Sequence, residues 1–193
     1  MSGADGYAGK ILRIDLSSRK SETIPTRLYA ERFLGGRGIG AKIYWDEVSP
    51  EIGAFDPENR LIFVTGPVTA TTGFAGARWQ ICGKSPLNER FGYANVGGGW
   101  GAQLKMAGYD GLIVSGKADG PSRLMISEDG AEIRKADHLW GEDAISCRER
   151  LKQELGKAVR VLAVGPAGEK GVVFSTLLAD NDSSGSSGFG AVM

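Results

Sequence analysis

Three consecutive glycines, Gly97-Gly98-Gly99, stand between the strand-like segment Phe91-Gly92-Tyr93-Ala94-Asn95-Val96 and a segment of helical character that opens at Trp100. Glycine lets a backbone bend freely and lets a ligand come close to the amide nitrogens. A helix that starts just after such a turn aims its unpaired N–H groups and positive dipole end at whatever occupies the turn. Those are the parts of an anion site, and phosphate is the usual anion. The same residues also suit a tight turn that needs only small side chains. Both readings stand at this level.

Little else in the chain could do chemistry by itself. Cys82 and Cys147 have no CxxC spacing and no nearby histidine, so an iron-sulfur cluster or a disulfide framework cannot be read from them. His138, the only histidine, lies in Lys135-Ala136-Asp137-His138-Leu139-Trp140, a segment of surface-turn character that suits a structural role better than a catalytic one. The 23 Lys and Arg balance the 23 Asp and Glu, so no long-range field attracts nucleic acid or anionic lipid. No apolar run reaches membrane-spanning length and the N-terminus carries no signal-peptide pattern, which makes a cytoplasmic location the default expectation. The 30 glycines among 193 residues are about twice the usual share. In a chain of ordinary proline content and hydrophobicity, they must mark turns, close packing or ligand approach.

The elements that would position the glycines follow from periodicity and turn chemistry. Lys10–Leu16 and Ser21–Ile24, across Ser17-Ser18-Arg19-Lys20, form a hairpin signal. Thr26 should cap a short helix burying Leu28, Tyr29, Phe33 and Leu34, and a second helix should run from Gly38 to Val48 with Ile39, Ile43, Tyr44 and Val48 inward. The continuous apolar run Leu61-Ile62-Phe63-Val64-Thr65 predicts a central strand covered on both faces. A small-residue loop over 68–77 leads to a strand at Arg78–Cys82, and Gly111–Ser115 is another strand. Arg123–Ser127 and Ala131–Arg134 pair across Glu128-Asp129-Gly130. Residues 142–155 carry the clearest amphipathic helix, with Ala144, Cys147, Leu151 and Leu155 as its stripe and Gly156 as its cap. Strands are expected at Val159–Val164 and Gly171–Leu178. The terminal Asn181–Met193 stretch reads either as a disordered tail or as a second small-residue loop around a phosphate, and its apolar ending suggests a cut within a longer protein. The whole is an α+β domain on mostly antiparallel sheets. A dinucleotide fold on Gly36-Arg37-Gly38-Ile39-Gly40 is disfavoured, because those glycines follow a helix rather than a strand.

Several blocks stand in a telling order. They are Gly6-Tyr7, Phe33-Leu34-Gly35-Gly36-Arg37-Gly38-Ile39-Gly40, Pro57-Glu58-Asn59-Arg60-Leu61-Ile62-Phe63 and Thr65-Gly66-Pro67-Val68-Thr69-Ala70-Thr71. Lys84-Ser85-Pro86-Leu87, Asn95 to Asp110, Gly165-Pro166-Ala167-Gly168-Glu169 and Gly188-Phe189-Gly190-Ala191-Val192-Met193 follow. In that order the chain resembles the N-terminal domain of the aldehyde ferredoxin oxidoreductases, a tungsten-pterin family, over nearly all of residues 1–193. The resemblance implies two mostly antiparallel sheets in a pseudo-twofold saddle or barrel-like arrangement with peripheral helices. On it would rest a tungsten (or molybdenum) bis-molybdopterin cofactor. Later domains, absent from this chain, would carry a 4Fe-4S cluster and the proton-transfer groups. The implied partners are an aldehyde substrate, ferredoxin or an electron-transfer subunit, those later domains and, at full length, a second copy. No nucleic acid or membrane is implied.

The resemblance also assigns residues. Arg78 matches an arginine that meets a pterin phosphate, and a guanidinium suits that role through its fixed fork of donors. Asn95, Gly97, Gly98, Ser183 and Gly185 match further cofactor contacts. Backbone carbonyls at Asn95 and Ser183 would help hold a Mg2+ ion that bridges the pterin phosphates, oxygen ligation that magnesium favours. The chain departs from the pattern at Asp182, where an arginine is expected, and at Ser186-Ser187, where a basic residue and a glycine are expected. An acid facing a phosphate repels it. Two other activities fit the same residues: a benzoyl-CoA-type ring reductase using this cofactor in the reducing direction, and a pterin-phosphate binding module without chemistry. The isolated chain is expected to be inactive.

Overall fold

The computed structural model describes residues 6–72, 76–180 and 183–193. Asp182 and part of the 68–77 loop therefore lie outside the described residues. Strands β1 (Lys10–Asp15) and β2 (Lys20–Pro25) form the expected hairpin, followed by helices α1 (Arg27–Phe33) and α2 (Gly36–Glu47). Strands β3 (Leu61–Thr65), β4 (Trp79–Ser85) and β5 (Arg90–Val96) lead through the glycines into α3 (Trp100–Met106) and on to β6 (Gly111–Ser115). A second hairpin, β7 (Ser122–Ser127) and β8 (Gly130–Lys135), precedes α4 (Ala144–Leu155). Short pieces complete the chain: β9 (Leu162–Ala163), α5 (Pro166–Glu169), β10 (Leu177–Ala179), β11 (Ser184–Gly185) and α6 (Phe189–Val192).

The α+β class expected from the sequence holds. The described strands are shared among three sheets, and none closes into a barrel. The largest has six strands in the order β2-β1-β6-β3-β4-β5. It is mixed, because β1 and β6 run parallel with Ile11 opposite Gly111 while the other neighbours are antiparallel. Strands β9, β10 and β11 make a small second sheet, and β7 pairs with β8 alone.

The central sheet is covered on both faces, as the run at β3 predicts. All five β3 residues are buried. Helix α2 lays Ile39 and Ile43 against Ile11, Ile62, Val64, Cys82 and Ile113 on one face. On the other face Phe63, Trp79, Ile81, Ala94 and Val96 meet Leu104 of α3 and the late residues Leu177, Ala179 and Phe189. Helix α4 packs Cys147 and Leu151 on Leu139, Val161 and Ala163 in a separate cluster. Its start is capped by Asp143, whose carboxylate accepts from the amides of Ile145 and Ser146.

Three expectations fail, and one open reading is settled. Leu28 and Leu34 face solvent and Ala30 is the buried residue of α1. Thr26 does not cap that helix, because its hydroxyl donates to Asp110 Oδ2 at 2.7 Å instead. Of the strand expected at Val159–Val164 only Leu162–Ala163 pairs, and 171–176 is not strand: Pro166 is preorganised to open a helical turn, and the chain reaches sheet geometry only at Leu177. Of the two readings of the terminal stretch, the disordered tail does not hold for residues 183–193, since Phe189 inserts fully into the main core.

Asp110, which is 2% exposed, is the joint between the N-terminal strand and the end of β3. Its carboxylate accepts from the amides of Ala8 and Gly9, both at 2.8 Å, and from Thr26. Its carbonyl accepts from both the amide and the hydroxyl of Thr65. Lys105 stands 3.8 Å from Asp110 Oδ1 and donates to Gly66 O at 2.6 Å. Removing the carboxylate leaves the largely buried Lys105 ammonium without its counter-charge, and the Thr26 hydroxyl and two part-buried amides without their acceptor. Asp110→Ala should therefore cost about 3–5 kcal/mol, read as a lower urea midpoint, with Asp110→Asn losing less. Burial holds the Lys105 ammonium below its ordinary pKa despite the pull of Asp110. The folded state then binds fewer protons than the unfolded one as the alkaline range is entered, so this group makes stability rise with pH there. Lys105→Met should flatten that rise in urea midpoints measured across the alkaline range.

Candidate anion-binding site

The site begins with an indole. Trp79 opens β4 and is 1% exposed. A buried Trp N–H needs a partner, and Nε1 donates to Gly97 O at 3.0 Å. Trp79 also packs on Trp100 at 4.6 Å between ring centroids, and Phe63 completes the group. Helix α3 lies so close over this ring that a Cβ on Gly101 would sit 2.6 Å from Trp79 Cδ1. Between these two anchor points the chain turns at Gly98, whose φ of +79° is a conformation that side chains disfavour. Gly98 is thus required by the turn, Gly101 by the packing of α3 on the ring, and the turn is placed by the tryptophan.

Several segments then converge on it. Arg78 is the residue before β4, one step beyond the Trp79–Val96 pair, which puts it beside Gly97. A Cβ on Gly97 would lie 3.4 Å from Ser183 Oγ and 3.7 Å from Arg78 Nη1. Ser183 Oγ accepts from the Gly97 amide at 2.7 Å. Arg78, Gly97, Gly98 and Ser183 are therefore brought together, although Ser183 lies 86 residues from Gly97 in sequence. Asn95 stands on β5 opposite Gln80, and its Oδ1 accepts from Gln80 Nε2 at 2.6 Å. Gly185 is close by in the chain but serves packing: a Cβ there would strike Ile81 Cδ1 at 2.7 Å. The Ser183 carbonyl accepts from the Ala179 amide at 2.8 Å, which leaves one lone pair for another partner.

Residues that the sequence reading missed also belong here. Arg160 lies against the third glycine, with Nε 3.0 Å from where a Cβ of Gly99 would be. Arg37, at the start of α2, stacks on Tyr93 at 4.4 Å. Gln80 keeps its Oε1 buried without a protein partner. Nothing in the local sequence marks these residues, because each is delivered by a separate element. Arg78 and Arg160 are both exposed, and neither is paired with a carboxylate of a described residue. Helix α3 has seven residues, so its dipole is small and the unpaired guanidiniums supply the stronger field.

The arrangement suits a multiply charged anion with oxygen acceptors. It does not suit metal ligation by side chains: among the described residues no group of three or more His, Cys, Asp or Glu could hold an ion. Neither cysteine offers a thiolate, since burial pushes Cys82 up to about 12 and raises Cys147 as well. A divalent cation here would need backbone carbonyls and oxygens from the anion itself. His138 lies away from the site in a short 3-10 turn, where its Nε2 is 3.0 Å from Glu154 Oε1. No helix among the described residues is long and apolar enough to cross a membrane.

Fold and site together define an α+β domain in which Arg78 and Arg160, without a carboxylate of a described residue, lie beside a glycine turn. Residues 11–193 match the family described as aldehyde ferredoxin oxidoreductase, N-terminal domain, and the chain belongs to that family. It is 43% identical to a tungsten-containing aldehyde ferredoxin oxidoreductase of Pyrococcus horikoshii, over 97% of this chain and 32% of that protein. It is 33% identical to the WOR-like subunit of an aliphatic sulfonate oxidoreductase of Pyrococcus furiosus, again over 97% of this chain and 32% of the relative. Among solved structures it is similar to the active-site complex of benzoyl coenzyme A reductase with 1,5-dienoyl-CoA. There the TM-score is 0.93 and the identity 37%, over 97% of this chain and 29% of that one. The chain spans about a third of the length of the curated relatives it matches, 32% for the first of them.

The tryptophan anchor makes a direct prediction. Gly101→Ala should force the Trp79 ring to shift and weaken its bond to Gly97, costing about 1–3 kcal/mol. Near-ultraviolet circular dichroism and a thermal melt would show a changed tryptophan environment together with a lower Tm. An unchanged spectrum and Tm would mean the ring does not hold the turn.

Proposed function

We propose that this chain is the cofactor-holding domain of a tungsten (or molybdenum) bis-pterin oxidoreductase that oxidises aldehydes to carboxylic acids and passes electrons to a ferredoxin-type carrier. The observation that carries this reading is the convergence of Arg78 and Ser183 on Gly97. The name of the Pyrococcus horikoshii relative supplies the metal and the substrate class. Arg78 would pair with a pterin phosphate through two parallel N–H bonds. With no side chain at Gly97, Arg78 and Ser183 would lie close enough to the turn to meet that phosphate together. Asn95 and Ser183 would offer carbonyl oxygens to a Mg2+ ion held between phosphates, with Gly185 contributing through its backbone. Later domains would add the 4Fe-4S cluster, the aldehyde pocket and proton-transfer groups. When bound, the metal-pterin group supplies two-electron redox chemistry. This domain's own residues hold the phosphates, set the orientation of the cofactor and cover one side of it.

A second reading is supported by the likeness to the benzoyl coenzyme A reductase complex. In it the same domain would serve an enzyme that reduces an aromatic CoA thioester. Nothing in the glycine turn distinguishes the two, because phosphates are common to both. Turnover of the full-length protein with an aldehyde and a ferredoxin-type acceptor, set beside turnover with benzoyl-CoA and a low-potential donor, separates them.

Arg78→Ala in the full-length protein should lower tungsten and pterin content per subunit about tenfold at equal loading, the loss expected for one charge-assisted contact. Metal analysis and pterin fluorescence measure it. Metal and pterin at the level of the unsubstituted protein would refute the phosphate assignment.

A further inference from the structure

We propose that Arg160 is a second phosphate-binding cation of this site, held against the glycine turn by the buried carboxylate of Asp180. The inference rests on the reading above that Gly97–Gly99 face a phosphate. It adds a residue from a different part of the chain and the device that positions it.

The geometry is a closed circuit of contacts. Asp180 is 1% exposed, and its Oδ2 accepts from the Val161 amide at 2.8 Å while Oδ1 accepts from Lys152 of α4. Val161 is itself buried, so the residue before it, Arg160, leaves the core from a fixed point. On the other side of Asp180 the chain reaches Ser183, whose hydroxyl accepts from Gly97. Asp180 thus ties together the two segments that flank the turn: one delivers Ser183 to Gly97 and the other delivers Arg160 to Gly99. Arg160 Nε, Cδ and Cζ lie 3.0, 3.4 and 3.7 Å from the position a Gly99 Cβ would take. A side chain at Gly99 would crowd the guanidinium in this position.

The placement has a chemical consequence. A solvated arginine on a neutral surface gains little from lying along a backbone, and most surface ion pairs contribute little. Arg160 has no carboxylate of a described residue to hold it, and it is nevertheless gathered to the same three glycines as Arg78. Two guanidiniums at the two ends of a glycine turn match a phosphate monoester dianion, which offers acceptors to more than one fork. Arg160 touches the ligand in this proposal. Asp180 does not, and acts only as a positioning residue.

The test uses the full-length protein loaded with its cofactor. Pterin fluorescence and tungsten per subunit are followed through gel filtration at rising salt for the unsubstituted protein, Arg160→Ala, Arg160→Lys, Arg78→Ala and the distant surface variant Arg134→Ala. Arg160 is exposed, so its substitution leaves the core intact, and circular dichroism checks this. Arg160→Ala should lose pterin about tenfold faster than the unsubstituted protein, as for removal of a charged hydrogen-bond donor. Arg160→Lys should recover part of the retention at low salt and lose it at high salt, and Arg134→Ala should behave as the unsubstituted protein. A structural role alone would not give that salt-dependent rescue. Retention unchanged in Arg160→Ala while Arg78→Ala loses cofactor overturns the Arg160 assignment and leaves the proposed function standing. A folded full-length protein that takes up no pterin overturns both.

Discussion

The site depends on one buried N–H group. The Trp79 indole is surrounded by Phe63, Trp100 and the apolar residues of the main core, and its nitrogen is satisfied by the Gly97 carbonyl. An unsatisfied polar group in such surroundings costs about 1–3 kcal/mol. The chain leaving β5 is therefore held over the ring until the carbonyl has been delivered. It must then turn at once, because α3 packs on the same ring at Gly101. Gly98 makes the turn possible, while Gly97 and Gly99 stay bare and point their empty Cβ positions at Ser183 with Arg78, and at Arg160. Core packing thus fixes the backbone from below, and the surface proposed to meet a phosphate is what remains above. The turn reading of the glycines holds, and the proposed binding reading uses the face that the turn leaves bare.

Two buried carboxylates extend this constraint through the domain. Asp110 gathers the amides of residues 8 and 9, Thr26 and Lys105, and so fastens the N-terminal hairpin to the strand that follows α3. Asp180 gathers Val161 and Lys152, and so fastens the small sheet to α4. Each is nearly without solvent, which would be unfavourable for an unpaired carboxylate, and each is matched by backbone donors and one lysine. Such joints are directional where apolar packing is not. They set the register between segments that the hydrophobic core alone could hold in several ways. That matters here because Ser183 must reach the glycine turn from 86 residues away in sequence.

What could be read from the sequence follows from this division. Segments whose pattern is decided locally were legible: the apolar run of β3, the hairpin turns, the inward Ile39 and Ile43 of α2, and the stripe of α4. The α+β class followed from them. Misread segments are those decided by a distant partner. The Thr26 hydroxyl had a helix to cap and a buried carboxylate to meet, and the carboxylate won. Val172, Val173 and Phe174 look like strand, but with Phe174 73% exposed they have no sheet to join. The terminal small residues look featureless until Phe189 finds its place beside Gly83 and Gly92. Gly97 stood out through its run of glycines, Arg78 and Ser183 were singled out only through family resemblance, and Arg160 not even so, since a lone arginine before an apolar segment carries no local signal.

Ser187 shows how far the terminal segment is built into the fold. Its φ of +63° is a conformation that glycine adopts more readily, and the resemblance leads one to expect glycine there. The serine is held by its own contacts: its hydroxyl donates to Tyr93 O at 2.9 Å and its carbonyl accepts from Ser85 Oγ at 2.8 Å. These bonds fasten residues 184–188 onto β4 and β5, on whose other face Arg37 covers Tyr93. At Ser187, where the resemblance implies glycine, the loop is held by hydrogen bonds rather than loosened. The chain carries no net charge, so attraction of an anion must come from local arrangement rather than overall field. With the terminal loop fixed by neutral hydrogen bonds, the cations beside the glycines are Arg78 and Arg160, drawn from segments that meet only once the sheet, α4 and the last residues are all in place.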